Sequence, residues 1–280
     1  MTVTFARLCG MDDPAPSRGG RLTPAGDHPF GGRQTQAIYE GQPATHDPDV
    51  PYGQRQRSKW PWMALLRAQR KMVFMENICG GSVIDSRHIL TAAHCMDEHA
   101  MKRREIAFSS SVCTIPLPDG PTGDLAGKTV TVAGWGITER SRNSVDTSNV
   151  LRVLNMTAVS VDDCHDRIQR YLTGGAVPKP PLDTFTNFDG GFRRGEKLCV
   201  DYKSNGQGVC DGDSGSPLLE FGQFRVVGIV STTIGPCALS IMPELYTRVS
   251  TYLDWIKNAT TIPGQETKTH HCQNPFVAAD

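Results

Sequence analysis

Two short motifs 120 positions apart, Thr91-Ala92-Ala93-His94-Cys95 and Gly212-Asp213-Ser214-Gly215-Ser216-Pro217, constrain this chain more than anything else in it. A serine hydroxyl is a poor nucleophile at neutral pH and needs an adjacent base to take its proton. Glycines on both sides of Ser214 let the backbone approach another molecule closely, so that main-chain N–H groups can stabilise an oxyanion. Around the two motifs run short apolar stretches, often β-branched or aromatic, bounded by Gly and Pro. Met63-Ala64-Leu65-Leu66, Val83-Ile84, Val130-Thr131-Val132-Ala133 and Phe224-Arg225-Val226-Val227-Gly228-Ile229-Val230 are examples. These are strand signals in an all-β plan. Near the end, Tyr252-Leu253-Asp254-Trp255-Ile256 is amphipathic at helical spacing.

With these residues the chain resembles the chymotrypsin-like (S1) serine endopeptidases, from about Ile38 to about Asn258. The resemblance implies two packed six-stranded antiparallel barrels with the active site between them, and a C-terminal helix closing the second. It makes Ser214 the nucleophile and His94 the base that takes its proton and returns it to the leaving amine. The N–H groups of Gly212 and Ser214 would form the oxyanion hole. Asp213 would be buried against a cation, which the family supplies as a newly freed α-amino group. Here that group is expected from Ile38, because Ile38-Tyr39-Glu40-Gly41-Gln42-Pro43-Ala44 resembles the start of the mature family domain, and Pro61-Trp62-Met63-Ala64 follows.

The resemblance also implies three bridges: Cys79–Cys95 behind His94, Cys164–Cys199, and Cys210–Cys237 beside the specificity pocket. Cys113, in Val112-Cys113-Thr114-Ile115-Pro116-Leu117-Pro118, looks like the cysteine to which zymogen proteases tether a light chain. Leu8-Cys9-Gly10 resembles the tether end in arthropod clip-domain proteases, although the six-cysteine clip module is absent. The expected fourth bridge is therefore Cys9–Cys113, with Cys272 left over. Gly208, six residues before the nucleophile, stands where trypsin-like members carry an aspartate, so a preference for Arg or Lys lacks its usual determinant. Ser231 and Glu244 complete the expected pocket. Glu244 replaces a glycine on the opposite wall, where it either recognises a basic or mixed side chain or fills the space. An apolar or mixed preference is expected.

Three departures matter. Residue 37 is alanine, with Arg33 the nearest basic residue before Ile38, and Glu40 replaces a glycine of the family start. Most consequential, the third member of the triad, an aspartate about 45 residues after the histidine, is missing together with its D-I-A-L-L-like strand. His94 and Ser214 lie 120 positions apart, against about 138 in the family. Asp97, Glu98 and Glu105 are acids in the gap, within a charge cluster of the kind found on solvated surfaces. Losing that block would open the first barrel and expose strand edges. Two explanations stand: an altered transcript or incomplete gene model of an active protease, or a non-catalytic homologue.

Composition bounds the rest. Lysines and arginines balance aspartates and glutamates, 29 against 29, so neither a nucleic-acid partner nor an anionic membrane surface is indicated. No apolar run is long enough to span a bilayer. Nine cysteines favour an oxidising compartment and hence secretion. Met1-Thr2-Val3-Thr4-Phe5-Ala6-Arg7 offers no secretory h-region, and an upstream portion carrying one would reconcile the two. Asn155-Met156-Thr157 and Asn258-Ala259-Thr260 are sequons compatible with secretion. The expected organisation is a propeptide or linker remnant over 1–37, a protease domain over 38–260 and a disordered tail over 261–280. The expected function is an extracellular serine endopeptidase acting on proteins or peptides, with inhibitors and cascade proteases as partners and no metal or cofactor. The alternative is a non-catalytic homologue that binds partners in an extracellular proteolytic cascade.

Overall fold

A computed structural model describes residues 3–6, 42–43, 60–69, 76–96, 105–140, 145–148, 150–172, 195–201, 207–232, 237, 242–261, 263 and 266–274. Along the chain come strands β1 (Val3–Ala6), β2 (Gln42–Pro43), β3 (Met63–Gln69), β4 (Glu76–Val83) and β5 (Ile89–Ala92). Then follow β6 (Thr129–Gly134), β7 (Ile137–Arg140), β8 (Val145–Thr147), β9 (Arg152–Val159) and helix α1 (Val161–Leu172). The last part holds β10 (Lys197–Asp201), β11 (Pro217–Glu220), β12 (Val226–Thr232), β13 (Glu244–Arg248) and helix α2 (Leu253–Thr260). Among the described residues no helix is long and apolar enough to cross a membrane.

The two halves of the fold differ. The second is a closed antiparallel barrel of six strands, ordered β10-β13-β12-β11-β6-β9, with β9 pairing back onto β10 and β2 added beside β9. The first is an open four-stranded sheet, ordered β1-β5-β4-β3. Among the described residues this first half contributes four strands to its sheet, against six in the barrel. Two further strands, β7 and β8, form a separate hairpin.

Strand alternation explains how the halves adhere. Successive side chains on a strand point to opposite faces. Val132 and Leu218 enter the barrel interior with Val227 and Val230, two residues that share a face because a bulge opposite Leu218 and Leu219 breaks the alternation, and there they meet Tyr246 and Met156. Their neighbours Ala133, Leu219, Val226 and Ile229 face the other way and join Trp60, Trp62, Leu90 and Ala92 of the first half, with Ile256 of α2. Trp62, fully buried, meets Phe224 edge-on at 5.1 Å between ring centroids. Such a pair contributes about 0.5–1.5 kcal/mol beyond its buried area.

Bridges Cys79–Cys95, Cys164–Cys199 and Cys210–Cys237 form as expected. The fourth does not: Cys113 is bonded to Cys272, not to Cys9. Residues 266–274, expected within a disordered tail, run back along the first half instead. Ser86 N–H donates to Lys268 O (2.8 Å), Thr114 N–H to His270 O (2.7 Å) and Cys272 N–H to Thr114 O (2.9 Å). The ring of His270 stacks on Phe108. This backbone pairing carries Cys272 to Cys113, and a sulfur engaged in one bridge has none left for the tether. Cys9 lies outside the described residues.

Candidate active site

His94 sits in a single 3-10 turn, Ala93–Cys95, at the end of β5, and its side chain is exposed. Ser214 lies in the turn leading into β11. Two contacts join these segments. The Ser214 carbonyl accepts a hydrogen bond from Gly80 N–H at 2.8 Å, and the Cys95 sulfur lies 3.6 Å from that same oxygen. Cys79–Cys95 thus anchors the histidine turn directly beneath the serine loop.

Glycine is required at this junction. Gly215 has φ +83°, and a Cβ there would stand 2.1 Å from Thr91 Oγ1 and 2.4 Å from Gly80 O. Thr91 is itself held, its hydroxyl donating to Gly80 O at 2.7 Å. Gly80 has no more room, since its Cβ would fall 2.0 Å from Ser216 Oγ. The strand before His94 and the loop after Ser214 therefore touch backbone to backbone. Gly212 has φ +96°, a conformation that L side chains rarely adopt. Among the described residues neither the Gly212 nor the Ser214 N–H donates to another group. Both N–H groups belong to the turn that carries Ser214, and unspent donors in such a turn are what a developing oxyanion requires.

Behind the loop, Asp213 is fully buried. One carboxylate oxygen accepts from Gly136 N–H (2.7 Å), the other from Cys210 N–H (3.0 Å). Burial dominates over these two hydrogen bonds and pushes its pKa up to about 7. Gly134 and Gly136 press on the same carboxylate, for a Cβ on either would lie within 2.3 Å of one of its oxygens. Sequence reasoning missed these two glycines. Their signal was the Gly134-Trp135-Gly136 bracket at the end of an apolar run. Ile38, the expected source of a cation for Asp213, lies outside the described residues, as do Asp97 and Glu98. Glu105 is exposed and 3.6 Å from Arg87 in an ion pair. Cys79, His94 and Cys95 cluster within 4.8 Å, yet the two sulfurs are bonded to each other and offer no thiolate to a metal.

The residues expected to form a pocket lie close together. Val209 N–H, next to Gly208, donates to one oxygen of Glu244 at 2.6 Å, and Tyr246 O–H donates to the other at 3.0 Å. Glu244 and Ser231 are both buried, at 1% and 4% exposure. Pairing of β12 with β13 sets Val230 opposite Tyr246 and Thr232 opposite Leu245, which brings Ser231 to the same end of the barrel.

A closed antiparallel barrel beside a second sheet, with a His turn and a Gly-Asp-Ser-Gly loop at their junction, defines a chymotrypsin-like protein. The chain belongs to the trypsin family, whose pattern matches residues 51–107 and 100–256. The two matched stretches meet at 100–107, where the aspartate block is missing. Among curated relatives, Trypsin 5G1 of Aedes aegypti is 28% identical over 228 residues, covering 66% of this chain and 76% of that protein. Among solved structures, HL collagenase superposes with a TM-score of 0.55 at 24% identity, over 72% of this chain and 94% of the other, and so shares the fold.

Proposed function

We propose that this protein is a secreted serine endopeptidase by descent, with Ser214 as nucleophile, His94 as its base and the Gly212 and Ser214 amides as oxyanion hole, and that its 280-residue form turns over peptides at or near background. The two unspent amides beside Ser214 carry the first part. The second rests on His94, for which no aspartate of the family pattern is present. In Ser-His-Asp enzymes, neutralising that aspartate costs about 10⁴-fold in kcat, which is about 5.5 kcal/mol. Four bridges support an oxidising, extracellular setting. Protein or peptide substrates follow from the family. With Glu244 held by two donors and Gly208 opposite, the pocket suits an apolar or mixed side chain before the scissile bond.

The test pairs fluorophosphonate labelling of Ser214 with hydrolysis of a mixed peptide library. Labelling lost in Ser214→Ala, with hydrolysis near background, is the expected result. Robust Ser214-dependent hydrolysis by the unmodified chain would overturn the low-turnover reading. A second reading, a binding homologue in an extracellular proteolytic cascade, is favoured by the pairing of Glu105 with Arg87, which leaves that acid on the surface. It gains if Ser214 resists labelling altogether.

A further inference from the structure

Strand β1 lies far from the rest of the described chain in sequence and next to His94 in the sheet. Its four residues pair antiparallel with the whole of β5: Val3 opposite Ala92, Thr4 opposite Thr91, Phe5 opposite Leu90 and Ala6 opposite Ile89. The other side of β5 is taken by β4. Without β1, the strand that carries His94 would present an open row of N–H and C=O groups. Such an edge is a template for any extended segment.

We infer that residues 3–6 are a built-in donor strand for the strand leading to His94, so that these four residues stay with the fold, with no cut ahead of Ile38 to release them. Three observations agree. Thr91 and Ala92, the residues β1 covers, are those that press on Gly215 of the serine loop, so the edge strand braces the site itself. Cys113, the cysteine that would retain a severed N-terminal segment, is already bonded to Cys272. Among the described residues, a cut ahead of Ile38 would thus leave the N-terminal piece held by the four residues of β1, which is too short a strand to hold on its own. Finally, Ala37 precedes Ile38 and gives a trypsin-like activator no basic residue to cut after.

The inference can be tested without relying on the protease reading. A site-specific protease sequence is placed at residues 30–33, the full chain is folded, and half the sample is cut. Hydrogen exchange of the Ile89–Ala92 amides is followed by mass spectrometry, and Ser214 labelling is read in parallel. The N-terminal fragment is expected to separate on non-reducing gel filtration, with exchange at Ile89–Ala92 accelerating by at least about tenfold. A synthetic peptide of residues 1–8 should restore protection saturably. Thr4→Pro/Phe5→Pro in the uncut chain removes two backbone donors from β1 and should raise exchange at the same amides. Unchanged exchange after cutting overturns the inference, as does a fragment that stays linked through Cys9 or a rise in Ser214 labelling on cutting. Should Ser214 be inert in both samples, the protease reading fails while exchange still decides the donor strand.

Discussion

Asp213 and Ser216 each carry a burial cost that a single substitution can expose. The Asp213 carboxyl, raised from 3.8 to about 7, keeps its proton in the folded protein over a range where the unfolded chain has lost it. Stability should therefore fall as pH rises from about 4 to about 7 and level off above. By linkage the whole change is on the order of 4 kcal/mol. Unfolding free energies from urea titrations of Asp213→Asn and the parent should diverge by about this amount across that range; parallel curves would remove Asp213 from the pH response. Ser216 Oγ is buried without a hydrogen-bond partner, at a cost of about 1–3 kcal/mol for such a group. Ser216→Ala should raise the melting temperature, and a lower one would mean that the hydroxyl has found a partner. Both positions sit in a motif that was plain in the sequence. Their environments were not, because Gly136, Gly134 and Gly80 reach them from elsewhere in the chain.

Elements were legible in proportion to how local their signals are. The apolar runs at 63–66, 130–133 and 224–230 became β3, β6 and the approach to β12, and the amphipathic stretch near Trp255 became α2. Helix α1 went unread although its start was marked. Ser160 Oγ accepts from Asp163 N–H at 3.1 Å, a side-chain cap, and Cys164, His165, Ile168 and Gln169 form its buried face. The return of residues 266–274 had no local signal at all, for it depends on a surface assembled from Ser86, Phe108 and Thr114. Its bridge closes a separation of 159 residues. Chain entropy caps its contribution at about 5 kcal/mol, and the two bridges nested inside that loop lower it. Cys113→Ala/Cys272→Ala is expected to lower the melting temperature and to release residues 266–274 to early proteolysis. A tail still resistant in that variant would show that its backbone bonds to Ser86 and Thr114 suffice.

At the scale of the whole molecule, the low turnover proposed for this chain can be tested by restoring the block that the family pattern has after His94. A family-like strand block carrying an aspartate, inserted between Met96 and Glu105, should raise Ser214-dependent hydrolysis by several orders of magnitude, up to about 10⁴-fold. No gain from a folded insertion variant would mean that more than the family's aspartate strand separates this site from an active one. The inserted strand and β1 would also compete for the edge of β5, so activity and loss of β1 protection should rise together. The unequal halves carry a last consequence. The six barrel strands close on one another, with only the two-residue β2 added outside them among the described residues, whereas the open sheet is bounded by the four-residue β1 beside the strand that leads to His94. Under heat or mild denaturant, fraying therefore begins on the histidine side, while the barrel keeps Asp213, the Gly212 turn and the Glu244 pocket. Such a half-frayed molecule keeps the serine loop while the histidine turn set against it has come away.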